Sequence, residues 1–332
     1  MKLTLLLLFF LHVANGGKIL FFMPVMPKST TMTFLPLAQE LAKKGHQVTI
    51  VNSQDLKLDK VDQIKLDYDI TDKLAANYSK SMLSDKSDFG SFWSQIQSQH
   101  QAWKTFMFDS WDIIFHELKT KHNFFEKYDK FDVTIVYGFL TNEIGYYIAH
   151  RFKASLILYS AQQSSTITLD YAMGQPHNPA YLPSNGLTYK TPMNFKERLF
   201  NTLYAFAYVL NRNYYQFPGQ EEILDKHFPD DLNRPSLLEL EKNAKLALGY
   251  GHPLLMDGLR PVSPNYVHIG MLRCSKKVET LPLDIQKFLD EADEVILVSF
   301  GSVLQASQMS ESLKLKLTSV FKKLKVHLNS CN

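Results

Sequence analysis

The stretch "GKILFFMPVMPKSTTMTFLPLAQELAKKGHQVTIVN", residues 17–52, limits the possible folds of this chain more than any other. Lys18–Met23 carries a short, nearly unbroken apolar run, the pattern of a strand covered on both faces. Phe34, Leu37, Ala38, Leu41 and Ala42 then recur on one helical face, and Lys43, Lys44 and Gly45 favour a helix end. "QVTIVN" reads as a second strand. Strand, helix and strand in this compass make a βαβ unit, which demands parallel strands and a right-handed crossover. Ser29, Thr30 and Thr31 stand where the helix begins and are suited to cap it.

The pattern recurs. "FDVTIVYG" (Phe131–Gly138) is a strand, "TNEIGYYIAHRF" a helix and "ASLILYS" the next strand, with further strands expected in "AKLALGY" and "NYVHIG". Between the first two units lies Ser91–Lys121, a helical region carrying Phe92, Trp93, Trp103, Phe106, Trp111 and Phe115. From Val295, "VILVSFGSVL" reads as a strand and tight turn, with a helix from about Ser310. One strand and one helix cannot cover each other's second faces, so this last unit is expected to be the start of a second, truncated domain.

The first sixteen residues, "MKLTLLLLFFLHVANG", hold an early Lys, an apolar run and small residues Ala14 and Gly16 at −3 and −1. That is the build of a signal peptide cleaved after Gly16, and the run is too short to span a bilayer. Asn77-Tyr78-Ser79 is an N-glycosylation sequon that suits the secretory lumen. No second long apolar stretch is seen, so the expectation is an endoplasmic reticulum or secreted protein without a C-terminal anchor. Net charge is +3, or 3 − 1 = +2 without Lys2, and no basic run tracks a phosphate backbone, which argues against nucleic acid. Two cysteines, Cys274 and Cys331, and histidines without metal-ligand spacing argue against a disulfide framework or a metal site. The domain reading is residues 1–16 as signal peptide, 17–270 as an N-terminal domain, 271–294 as linker and 295–332 as the start of the second domain.

Four stretches in order carry a resemblance: "GKILFFMPVMPKS…TFLPLAQELAKKGHQVTIV", "FDVTIVYGFLTNEIG", "GLRPVSPNYVHIGML" and "LPLDIQKFLDEADEVILVSFGS". Together they resemble the UDP-glycosyltransferases, in particular the animal UDP-glucuronosyltransferase-like branch, over Gly17 to about Lys325. The resemblance implies a GT-B arrangement of two Rossmann-like α/β domains. The N-terminal domain would hold a lipophilic hydroxyl acceptor and the C-terminal domain a UDP-sugar, a co-substrate used without metal or other cofactor. A histidine after the first strand would remove the acceptor's proton, oriented by an acid at a later strand end. Ligands beyond the carboxyl ends of parallel strands fit that scheme.

Two departures follow. In the family's register the base position is Thr30 and the acid position is Tyr137. A threonine hydroxyl is no base near neutral pH, and a phenol with pKa ~10 cannot orient an imidazole as a carboxylate does. On the donor side, Gly301 and Ser302 of "VSFGS" could approach phosphate oxygens, and Arg260 is a weaker candidate. The family's Trp-x-Pro-Gln stretch and His-Gly-Gly helix start are not found in the chain. The resemblance therefore implies a glycosyltransferase lineage with an impaired or inactive chain. The alternative is a non-catalytic fragment that binds lipophilic small molecules or pairs with full-length family members.

Overall fold

The computed structural model describes residues 16–68, 108–138, 142–161, 166–184 apart from 176, 187, 189–252, 261–274 apart from 271, 280–301 apart from 292 and 293, and 309–323. Among these, residues up to 68 and from 108 to 274 form one compact unit, and those from 280 onward belong to a second.

The first unit is built on a seven-stranded parallel sheet: β1 (Lys18–Phe22), β2 (Gln47–Asn52), β3 (Val61–Lys65), β4 (Val133–Tyr137), β5 (Ser155–Ser160), β6 (Leu246–Gly249) and β7 (Tyr266–His268). The spatial order is β3-β2-β1-β4-β5-β6-β7, so connections run outward in opposite directions on the two sides of the β1–β4 pair. That reversal is a topological switch point, the place where open parallel sheets bind ligands beyond the carboxyl ends of their strands.

The reason for the apolar run in β1 is visible on its two faces. Phe21 stacks on Phe34 of α1 (Lys28–Lys43) at 5.3 Å between centroids. Phe22 points the other way and stacks at 6.1 Å on Trp111 of α2 (Phe108–Thr120). Each such fully buried side chain is worth roughly 1.5–3 kcal/mol. The first face also buries Met23, Met26, Ile50, Tyr137 and Tyr159. After α3 (Phe124–Lys127) and β4, α4 (Gly145–Arg151) crosses the sheet so closely that a Cβ on Gly145 would meet Val136 at 2.8 Å. The remaining helices of this unit are α5 (Ile167–Ala172), α6 (Phe195–Asn211), α7 (Phe217–His227) and α8 (Leu237–Glu241). Of the aromatic helical region, Trp111 and Phe115 are buried core residues; Phe92, Trp93, Trp103 and Phe106 lie outside the described residues.

Two sequence expectations are corrected. The hydroxyls at Ser29–Thr31 do not cap α1. Pro27 is the N-cap, its ψ of 148° extended, and no side chain caps the helix. Thr31 N bonds Pro27 O, so the helix opens one turn earlier than the hydroxyls suggest, and they sit within its first turn. In the second unit, Val295–Phe300 is not a strand, although the helix expected after Ser310 forms as α10 (Glu311–Lys323), preceded by α9 (Leu283–Asp290). A strand is defined by the ladder beside it, and the described residues of this unit contain no other strand.

No described residue of α9 or α10 is buried. Helices with so little covered surface open at low cost, since burial does not offset their ordering entropy. Limited proteolysis is therefore expected to remove residues beyond Cys274 first and leave a resistant fragment ending near it, read by mass. Equal protection through α10 would contradict this.

Candidate functional site

The two positions singled out for acid–base chemistry both lie toward the carboxyl ends of the central strands, Thr30 in the helix that follows β1 and Tyr137 as the last residue of β4. Thr30 lies in the first turn of α1, half-buried, and its carbonyl accepts a hydrogen bond from Thr33 Oγ1 at 2.5 Å. Thr33 Oγ1 in turn accepts the Tyr159 hydroxyl at 2.6 Å. Tyr137 ends β4 in register with Tyr159, is 1% exposed, and belongs to the apolar cluster under α1. Burial lifts the Tyr159 phenol far above the ordinary range, against the bond to Thr33, and the nearby Tyr137 adds to the lift. The Tyr159 phenol therefore stays neutral near pH 7.

The loop that carries position 30 is fixed from the next strand. Gln54, just past β2, accepts the Thr31 hydroxyl at 2.5 Å and donates to Met26 O at 2.8 Å. Gln63 of β3 donates to Asn52 Oδ1 at 2.7 Å, completing a polar lattice along the sheet's carboxyl edge. From the β4 side, Asn142 Nδ2 donates to Val25 O at 3.4 Å.

Asn142–Ile144 is a 3₁₀ turn anchored on an interior ion cluster. Ile144 N donates to Gln220 Oε1 at 2.6 Å, and Gln220 Nε2 reaches Glu143 Oε2 at 3.4 Å. Glu143 lies 3.7 Å from Arg212 Nε, and Arg212 Nη2 donates to Glu241. All three charged side chains are at most 3% exposed. Arg212 begins a π turn, Arg212–Gln216, that links α6 to α7. Two carboxylates share one guanidinium, and burial, opposed by Arg212, pushes Glu241 up to about 7. Sequence reasoning missed this cluster because its members are far apart in the chain, Arg212 and Glu241 by 29 residues and Glu143 further still, and none belongs to a local motif.

It also missed a buried carboxylate–imidazole pair. Thr166 caps α5, accepting from Leu169 N. Asp170 Oδ2 lies 2.8 Å from His177 Nδ1, and Gln175 Nε2 donates to Asp170 Oδ1 at 3.3 Å. The Nε2 atom of His177 is buried and has no hydrogen-bond partner among the described residues. The side chains have the right types for base catalysis, although His177 is only 7% exposed. The six residues between them in the chain give no periodic signal.

On the donor side, Gly301 takes a positive φ of 73°, with open space where a Cβ would stand, as the expected tight turn requires. Ser302, Arg260 and the sequon residue Asn77 lie outside the described residues.

The family model described as UDP-glucoronosyl and UDP-glucosyl transferase matches residues 17–326. UDP-glucosyltransferase 2 of Dactylopius coccus is 28% identical over 92% of this chain and 58% of its own length. The 2-hydroxyacylsphingosine 1-beta-galactosyltransferase of Rattus norvegicus is 24% identical over 94% of this chain and 55% of its own. A solved UDP-glucosyltransferase from Polygonum tinctorium aligns with 84% of this chain and 57% of its own, at 12% identity and a TM-score of 0.38. The chain thus spans less than two thirds of the curated relatives it matches. With one family model covering nearly all of its length, the chain belongs to the UDP-glucoronosyl and UDP-glucosyl transferase family.

Proposed function

We propose that residues 17–270 form the acceptor-binding domain of a UDP-sugar-dependent glycosyltransferase, receiving a lipophilic hydroxyl compound beyond the carboxyl ends of β1 and β4. The carrying observation is the family match from residue 17 to 326, on a parallel sheet whose strand order reverses at the β1–β4 pair. In this reading the UDP-sugar is a co-substrate held on the Gly301–Ser302 side, and Arg260 is a further donor contact. Residues 271–294 link the domains, and 295–332 open the nucleotide-sugar domain. No metal enters the chemistry. The relatives named above act, by their names, in glucosyl and galactosyl transfer, which supports hexosyl or glucuronosyl transfer here.

Thr30 supports a second part of the reading, that turnover is impaired while acceptor capture persists. Pairing with a full-length family member would give such a chain a role. The purified chain is expected to bind an apolar phenol, followed by tryptophan fluorescence, and to transfer no sugar to it from UDP-glucose or UDP-glucuronate. Transfer by the chain as it stands would overturn the impairment, and absence of phenol binding would overturn the acceptor assignment.

The leader and Asn77 support entry into the secretory pathway, with residence in the endoplasmic reticulum lumen or secretion. No described helix is long and apolar enough to cross a membrane. Terminal sequencing of microsomal or secreted material is expected to begin at Gly17, and a glycosidase to lower the apparent mass. An intact Met1 in a cytosolic fraction would contradict this.

A further inference from the structure

The outer face of α6 is apolar along its whole length. Phe195, Leu199, Leu203, Phe206, Leu210 and Tyr214 are all exposed, Phe195 at 72%, Phe206 at 63% and Tyr214 at 79%. At about 100° per residue, the five of these within α6 fall in an arc of roughly 80°, with Tyr214 following in the π turn. The stripe is about 28 Å long at 1.5 Å per residue.

The opposite face of the helix is locked. Asn201 Nδ2 donates to Pro179 O at 2.6 Å and Leu182 O at 2.7 Å, while its Oδ1 accepts from Ser184 N at 2.7 Å. Tyr204 and Ala205 are buried beside it, and Arg212 is tied to Glu241 at the helix end. The helix therefore cannot roll to hide its outer face.

Charge placement identifies the occupant. No Asp, Glu, Lys or Arg occurs between Arg198 and Arg212. At the start of the stripe, exposed Lys196 and Arg198 stand on its two sides, and exposed Lys190 precedes the helix. The one acid there, Glu197, is folded back in a capping box with Asn194. The helix N-terminus adds its own positive pole. An apolar stripe flanked by cations, lying flat on a rigid domain, is complementary to an anionic lipid surface.

We propose that α6 lies in the plane of an anionic bilayer, its outer stripe inserted among the acyl chains and Lys190, Lys196 and Arg198 among the headgroups. The purified chain is expected to sediment with phosphatidylcholine vesicles containing phosphatidylserine, weakly or not at all with phosphatidylcholine alone, and to be released by salt or alkaline carbonate. L203E/F206E should weaken vesicle binding by roughly tenfold or more. K196E/R198E should abolish the preference for the anionic lipid. All four positions are exposed, and unchanged near-ultraviolet circular dichroism checks that the variants fold. In a Y214W variant, brominated lipid should quench the new indole. Failure to bind anionic vesicles, or binding that L203E/F206E leaves intact, overturns the proposal. So does a dimer in solution that L203E/F206E dissociates in the absence of vesicle binding, which would make this face a contact between two copies.

Discussion

Thr30→His, placed in this chain joined after Ser302 to the nucleotide-binding half of a curated relative, is expected to raise sugar transfer to a phenol by about 10² to 10⁴-fold. That range is roughly 3–5 kcal/mol of barrier, the contribution of a positioned general base. The parent fusion should bind UDP-sugar with little turnover, because position 30 holds a threonine hydroxyl, which is no base near neutral pH. In the variant, the pH profile of kcat/KM should gain an ionisation near the ordinary histidine range, about 6.5. Adding Tyr137→Asp tests the acid position, with a cost in stability. Tyr137 is 1% exposed in an apolar cluster, so a carboxylate there loses packing and solvation together. The double variant should therefore be less stable than Thr30→His alone, and more stable than Tyr137→Asp alone at pH values where the imidazole is charged. If the parent fusion is already fully active, another residue is the base. The buried Asp170–His177 pair is then the first to test, by His177→Ala in the same fusion.

Arg212→Met is expected to destabilise the first unit by about 3–5 kcal/mol, because it leaves Glu143 and Glu241 buried without their countercharge. At roughly 2–4 °C per kcal/mol for a domain of this size, Tm should fall on the order of 10 °C. Replacing Glu143 and Glu241 by Gln in the same protein should recover most of the loss, since the cost lies in the unpaired charges rather than in the missing guanidinium. Glu241 gives the cluster a pH signature. Its folded pKa of about 7 lies above its ordinary value of 4.5, so the folded state binds the proton more tightly. Its contribution is full below about 4.5 and is lost as pH rises through about 7, an effect of roughly 1–3 kcal/mol. Denaturant midpoints measured across this window should fall with rising pH, and Glu241→Gln should flatten that slope. An unchanged slope would assign it to other groups.

The parts of the fold that the sequence made legible are those whose burial is continuous along the chain. β1, β2, β4 and β5 announce themselves because both faces of each are covered. Edge strand β3, "VDQIK", was not anticipated: only Ile64 is buried, and its polar residues include Gln63, which serves the lattice at the sheet's end. Val295–Phe300 misled in the opposite sense, since an apolar run signals a wish to be covered and does not supply the neighbour that makes a strand. Ser29–Thr31 looked like a cap because cap residues are chosen by type, whereas the helix start was set one turn earlier by Pro27. Positions 30 and 137 were singled out through the family register alone. The Arg212 cluster and the Asp170–His177 pair were hidden because only the tertiary fold brings their members together.

The latch between Gln54 and the loop after β1 also bears on how the chain can change over time. It grips Met26 through the backbone and Thr31 through its hydroxyl, while the hydrogen bond at position 30 falls on the carbonyl and the residue is half-buried. Folding therefore has little stake in which side chain occupies position 30. Selection for a stable protein would neither favour nor oppose a change of side chain here, so position 30 can drift while the scaffold around it persists.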